Sequence, residues 1–356
     1  MIKSLSPYYV TIPFVSPLTS AVCTSYKLQV FIWDGLKASV PATPYYEISK
    51  DNLTTSSGDD FVNIARLVND FVDFRPTAMT LTGLYDASNQ RWVKTQVIYT
   101  TENVLDLDVV QLEAVNLMVK GYAYGMDGEN TSTPTNRILL SGTEFKVNRT
   151  GIFNLPVLAD EAIAYPITVI SYPDNILNFS GSVLDTTTSG ELIQNMFVNV
   201  AQATTDTVIE ITFNSIVTTL LITDECRYTP IEIAFQNKEG ALQFLTFFKA
   251  KTDNLLTTNE EYEGDQGQPL LGYHQYIKYN VQGRSKFRVN SGFIKEELNE
   301  TFKQLFLSER VWQLENSIYI PVNVASKSLE YKSRQKDRLI NYEVEFDYAY
   351  NEINNL

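Results

Sequence analysis

A single histidine and two cysteines occur among 356 residues, and this scarcity excludes several chemistries together. A histidine base, a nucleophile triad or a multi-histidine metal site must run through His274, which sits in GYHQYIKY and reads as a structural or surface residue of a strand. Cys23 and Cys226 lie 203 positions apart. They form neither a metal knuckle nor a closely spaced redox pair, so each is expected to be a buried thiol. Runs of about 18 apolar residues are also missing. The N-terminal MIKSLSPYYVTIPFVSPLTS lacks a continuous apolar core after its early lysine, so neither a membrane segment nor a secretion signal is expected. The glycines at 121–128 and 181–190 are not followed by Lys-Ser or Lys-Thr and fit no phosphate cradle. No cofactor, metal or catalytic residue is therefore expected, and the chain is not read as an enzyme.

Acidic side chains are plentiful instead. Asp and Glu number 42 against 28 Lys and Arg, a net charge of −14 that argues against general affinity for nucleic acid. The charge is also unevenly placed. Twelve of the 28 cations fall between positions 278 and 338 beside seven acids, which leaves 16 basic against 35 acidic residues elsewhere. Such a split suits copies that dock head to tail. Arg284, Lys286 and Arg288 alternate in RSKFR, and Lys332, Arg334, Lys336 and Arg338 repeat the spacing of two, so each set forms a row on an extended segment. Two readings stay open for these rows. They are either a solvated face balanced by nearby Glu, or a docking surface for acidic faces of neighbouring copies or for the phosphates of passing nucleic acid.

Hydrophobic residues make up 44% of the chain and charged ones 20%, with 40 Tyr and Phe together. Abundant Val, Ile and Thr favour pleated surfaces, so the fold class is mainly β. In YKLQVFIW (26–33) apolar and polar positions alternate before Asp34-Gly35, which predicts a hairpin. DDFVNIARLVNDFV spaces Phe61, Ile64, Leu67, Val68 and Phe71 by three and four, which predicts one short helix plugging a sandwich. The polar stretch GMDGENTSTP (125–134) marks a first boundary, and short-strand signals then recur to about Glu225. Two Ig-like or fibronectin-like sandwiches, 1–128 and 129–225, are expected before a mixed β domain at 226–356 with one or two short helices. In that last part a tight hairpin turns at Asn237-Lys238-Glu239-Gly240, and Leu298, Phe302, Leu305 and Phe306 share a helical face. YEVEFDY (342–348) alternates strictly, with one face buried and the other acidic. The acidic, Gly-containing stretch 253–269 is expected to be a long mobile loop that contacts a neighbour.

Three candidate chemistries remain. Asp106 and Asp108 could be paired metal ligands, but no nucleotide-binding βαβ unit surrounds them, so a solvated strand face is the better reading. Trp33, Trp92 and Trp312 could line a sugar platform, yet three tryptophans in a β protein sit more often in separate cores. Paired carboxylates for glycoside hydrolysis leave no mark in a chain so rich in acids.

The runs RYTPIEIAFQNKEGALQFLTFFKAKTD and NSGFIKEELNETFKQLFLSERVWQLENSIYIPVNVASKSLEYKSRQKDRLINYEVEFDYAYNEINN resemble structural proteins of tailed bacteriophages that infect Bacteroidetes, including the crAss-like group. KGYAYGMDGEN and ILLSGTEFKVNRTGIFNLPVLAD resemble parts of the same proteins, so the likeness spans most of residues 7–356. The resemblance implies a virion component made in the host cytoplasm, a tail ring, collar or baseplate subunit. Its implied partners are copies of itself in a ring, other tail or collar proteins, and DNA that passes without sequence-specific binding. It transfers no catalytic residue. The rival functions are a carbohydrate-binding module for host attachment, with Trp92 or Tyr124 stacking on sugars, and a polysaccharide-degrading enzyme.

Overall fold

The computed structural model describes the chain except residues 15–21, 52–58, 73–75, 77–78, 88–89, 102–108, 128–136, 160–162, 184–191, 265–271, 273, 331–339 and 354–356. The described chain is mainly β, as its composition demands. The first sheet runs in the order Ile2–Lys3, Val109–Val119, Gln90–Thr101, Cys23–Trp33 and Tyr46–Lys50. Both of its faces are covered. Tyr26, Leu28, Val30, Val93, Val97 and Tyr99 pack with Ile64 and Val68 of the short helical segment, while Phe31, Trp33, Trp92 and Leu117 turn to the main core.

Two expectations for this region need correction. The predicted hairpin after Trp33 is not tight, because the chain runs through 34–45 before Tyr46–Lys50 pairs back on Cys23–Trp33. The indoles of Trp33 and Trp92 hold that connection by donating to the carbonyls of Leu36 and Gly35, at 2.8 and 3.0 Å. The helix is also shorter than its periodicity predicts, spanning Ala65–Asn69. Strand Asp60–Asn63 pairs with Tyr9–Ile12 and takes what would have been the first turn, which leaves Phe61 58% exposed.

The central part stacks two sheets on one apolar cluster. One is ordered Asn178–Val183, Tyr165–Tyr172, Val208–Phe213, Ile216–Thr223 and Glu144–Asn148. The other is Ile152–Ala159, Leu192–Asn199 and Gly83–Asp86, so a strand that precedes the polar 125–134 stretch completes a sheet that follows it. Asn214 and Ser215, both at positive φ, form the two-residue turn between Val208–Phe213 and Ile216–Thr223.

The C-terminal part is one antiparallel sheet of seven strands. Its order is Leu242–Phe247, Ile231–Gln236, Val311–Glu315, Ile318–Val324, Glu343–Tyr348, Tyr276–Asn290 and Thr252–Glu263. The predicted hairpin at 237–240 is present. Asn237 Oδ1 accepts from the backbone of Glu239 and Ala241, and Gly240 takes the positive φ the turn needs. Helix Asn299–Leu307 buries Phe302 and Leu305 against this sheet, with the Phe302 ring 4.7 Å from that of Tyr342. The apolar cluster that begins at Met1 continues through all three parts to Phe346.

Candidate assembly surface

The last two strands of the seven-stranded sheet carry the features that sequence singled out. Phe287 and Val289 of the inner strand Tyr276–Asn290 are buried, so their neighbours Arg284, Lys286 and Arg288 face the opposite side. The next strand inward, Glu343–Tyr348, buries Val344 and Phe346 and presents its three acids to the same side. A ladder of ion pairs follows. Arg288 Nε lies 3.2 Å from Glu343 and its Nη2 3.5 Å from Glu345, Lys286 lies 3.2 Å from Asp347, and Arg284 lies 3.8 Å from Asp347. This basic row is thus balanced within the chain. Lys332, Arg334, Lys336 and Arg338 lie outside the described residues.

The expected loop at 253–269 needs a larger correction over 253–263; residues 265–269 lie outside the described ones. Residues Thr252–Glu263 form a strand that pairs with the inner strand from Thr252↔Arg288 to Thr258↔Gln282 and, after a register shift, from Glu260↔Tyr279 to Glu263↔Tyr276. Sequence patterning missed it for a physical reason. Every residue of this strand is exposed, so neither face needs to be apolar and no period of two is written. Beyond Gly283 the hairpin stands clear of the body, with Tyr276, Ile277, Lys278, Tyr279 and Asn280 exposed as well. Seven residues of strand extend about 20 Å.

Large apolar side chains line this arm on both faces. Leu255 pairs with Ser285 and Leu256 with Arg284, so the two leucines, 59% and 52% exposed, point to opposite sides. A bulge after Thr258 resets the register, and farther out Tyr262, Ile277 and Tyr279 share one face, the two tyrosine rings 5.7 Å apart. The only charges on the outer strand are the carboxylates of Asp253, Glu260, Glu261 and Glu263. Asp253 meets Lys251 at 2.8 Å and Glu261 meets Lys278 at 3.4 Å, whereas Glu260 and Glu263 accept from the neutral amides of Asn280 and Gln275. The Glu260 side chain in turn raises the Tyr279 hydroxyl above its ordinary pKa. The arm is therefore an acidic ribbon with apolar patches. His274 is exposed, but it precedes the strand Tyr276–Asn290 and is not part of it as expected.

The other sequence candidates are placed elsewhere. Trp33, Trp92 and Trp312 are 8%, 3% and 9% exposed, so none offers a face to a sugar. They do not occupy three separate cores as expected, because Trp33 and Trp92 are cross-strand partners in the main cluster and only Trp312 lies in another. Tyr124 is clasped instead of open. Its ring lies under Lys303 at 3.5 Å and Lys238 at 4.4 Å, and its hydroxyl donates to Glu300 at 2.6 Å. Cys23 is buried as expected, but Cys226 is exposed, because it lies in the polar connection before Ile231–Gln236. Asp106 and Asp108 are outside the described residues.

A polar cleft of about 490 Å³ between Asn148, Thr150, Glu232, Lys251 and Glu315 holds the other notable group. Burial pushes the Glu232 carboxyl up to about 7, although it accepts the backbone N–H of Ile152. Among the described residues no helix is long and apolar enough to cross a membrane, and no group of three or more His, Cys, Asp or Glu gathers to hold a metal ion. Comparison with family models, with curated proteins and with solved structures gives no match.

Proposed function

We propose that this chain is a non-catalytic structural subunit that associates with copies of itself, and that the arm is the element by which it docks. The carrying observation is the outer strand Thr252–Glu263, exposed along its whole length while bearing Leu255, Leu256 and Tyr262. A lone two-stranded hairpin is marginally stable in water, and apolar side chains gathered on such a projection mark an interaction surface. Acid on the arm and base elsewhere in the chain fit a head-to-tail contact, which closes into a ring when the rotation permits. The resemblance to structural proteins of tailed phages supports the same reading, and under this proposal such a ring belongs to a tail, collar or baseplate.

The test is the mass of the purified protein as a function of concentration, followed by imaging. A closed ring or discrete oligomer is expected. A monomer at every concentration, or turnover of a defined substrate, overturns the proposal. Replacing Leu255, Leu256, Tyr262 and Tyr279 together by Ser is expected to leave a folded monomer with an unchanged melting temperature. Reversing charge at Arg334, Lys336 and Arg338 is expected to block assembly as well, and rings that persist in electron micrographs would count against those three cations as a contact.

A further inference from the structure

We infer that the arm docks by strand addition: the free edge of Thr252–Glu263 accepts an extended, Lys- and Arg-bearing segment of a second copy as an eighth strand. This rests on the assembly reading above and specifies its geometry.

The two edges of the seven-stranded sheet differ sharply. Leu242–Phe247 is almost wholly buried, whereas Thr252–Glu263 is exposed throughout. Folded proteins protect open edges with proline, charged side chains, above all lysine, or bulges. This strand has no proline and no cation, and its bulge and three of its four carboxylates lie beyond Thr258. Its bulge after Thr258 leaves the seven residues from Thr252 to Thr258 as one uninterrupted pairing stretch.

Backbone direction supports the same use. The Gly283 carbonyl accepts from the Glu352 N–H at 2.8 Å, on the body side of the inner strand. Alternation then directs the N–H and C=O of Gly283, Ser285 and Phe287 inward, and those of their pairs Thr257, Leu255 and Asp253 out from the free edge. The Asn290 carbonyl, of opposite parity, accepts from Lys249 on the arm side, as this alternation requires.

Charge selects the occupant. The strand carries Asp253 within Thr252–Thr258 and Glu260, Glu261 and Glu263 beyond the bulge. Pairing with its own copy over the full length would therefore bring four carboxylates on each strand together, and like charges across strands are destabilising. The complementary donor is basic and extended. In this chain's sequence the densest run of alternating cations is Lys332, Arg334, Lys336 and Arg338. A donor from a second copy gives a heterologous contact, because edge and donor are different segments of the chain.

The test uses the full chain. Amide hydrogen exchange of Leu255 and Thr257 is measured in the assembled protein and in dilute monomer. Strong slowing at both amides on assembly is expected, and exchange unchanged by assembly overturns strand addition. Thr257→Pro removes an outward N–H without altering charge or the bonds to the inner strand, and is expected to weaken self-association at least tenfold with an unchanged melting temperature. If Thr257→Pro assembles like the parent while the fourfold Ser variant does not, the arm docks through its faces, strand addition is wrong and the assembly reading stands. If the parent chain alone is monomeric with both amides exchanging freely, the second copy is overturned as occupant together with the assembly reading.

Discussion

Glu232 shows how one side chain can set the response of the fold to pH. Its carboxyl lies directly over Gly151, where any Cβ would overlap it, and desolvation raises it from 4.5 to about 7. The folded state therefore binds this proton more tightly than the unfolded chain does. The associated stability is fully present below 4.5 and is lost as the pH rises through about 7. Glu232→Gln is expected to remove that dependence, which amounts to at most about 3 kcal/mol between pH about 5 and about 8. Denaturant midpoints at the two pH values check it, and a parent protein equally stable at both would rule it out. Asp206 works with the opposite sign. Burial alone would raise it, but the Ser171 hydroxyl and the N–H groups of Asp174 and Ile176 hold it below its ordinary value, so its contribution is lost as the pH falls.

At the scale of elements, the ladder between Arg284, Lys286, Arg288 and Glu343, Glu345, Asp347 is a surface device, since most of its members are partly exposed. Exposed pairs contribute about 0.2–1 kcal/mol each and are screened by salt. Changing Glu343, Glu345 and Asp347 to Gln, Gln and Asn is expected to lower stability by about 1–2 kcal/mol at low ionic strength and by less at high salt. Urea midpoints at two salt concentrations check this. A loss equal at both would mean that packing beneath the ladder, at Phe287 and Phe346, had been disturbed instead. The arm contrasts with this arrangement. Its strands are held by their own backbone pairing, and Leu255, Leu256, Tyr262 and Tyr279 remain about half exposed.

For the whole molecule, one apolar cluster threads residues of all three sequence-defined parts, and Gly83–Asp86 completes a sheet with Leu192–Asn199. Calorimetry is therefore expected to record one cooperative transition, because melting any part exposes the core of another. Separate transitions for 1–128, 129–225 and 226–356 would show that these parts are thermodynamic domains. The charge split also changes meaning in three dimensions. The basic window 278–338 stops just short of Glu343, Glu345 and Asp347, the acids that balance three of its twelve cations, Arg284, Lys286 and Arg288, in space.

Sequence alone determined the β class, the turn at 237–240, the helix over Phe302 and Leu305, and the buried alternation of Val344 and Phe346. Each rests on local chemistry: β-branched and aromatic content, a turn residue, or a period imposed by one buried face. Tertiary structure decided the rest. Which acids neutralise Arg284, Lys286 and Arg288 depends on strand order, and the partner of Gly83–Asp86 depends on long-range pairing. The arm was the least legible element, because a strand exposed on both sides carries no hydrophobic period, and only pairing with its neighbour distinguishes it from a loop.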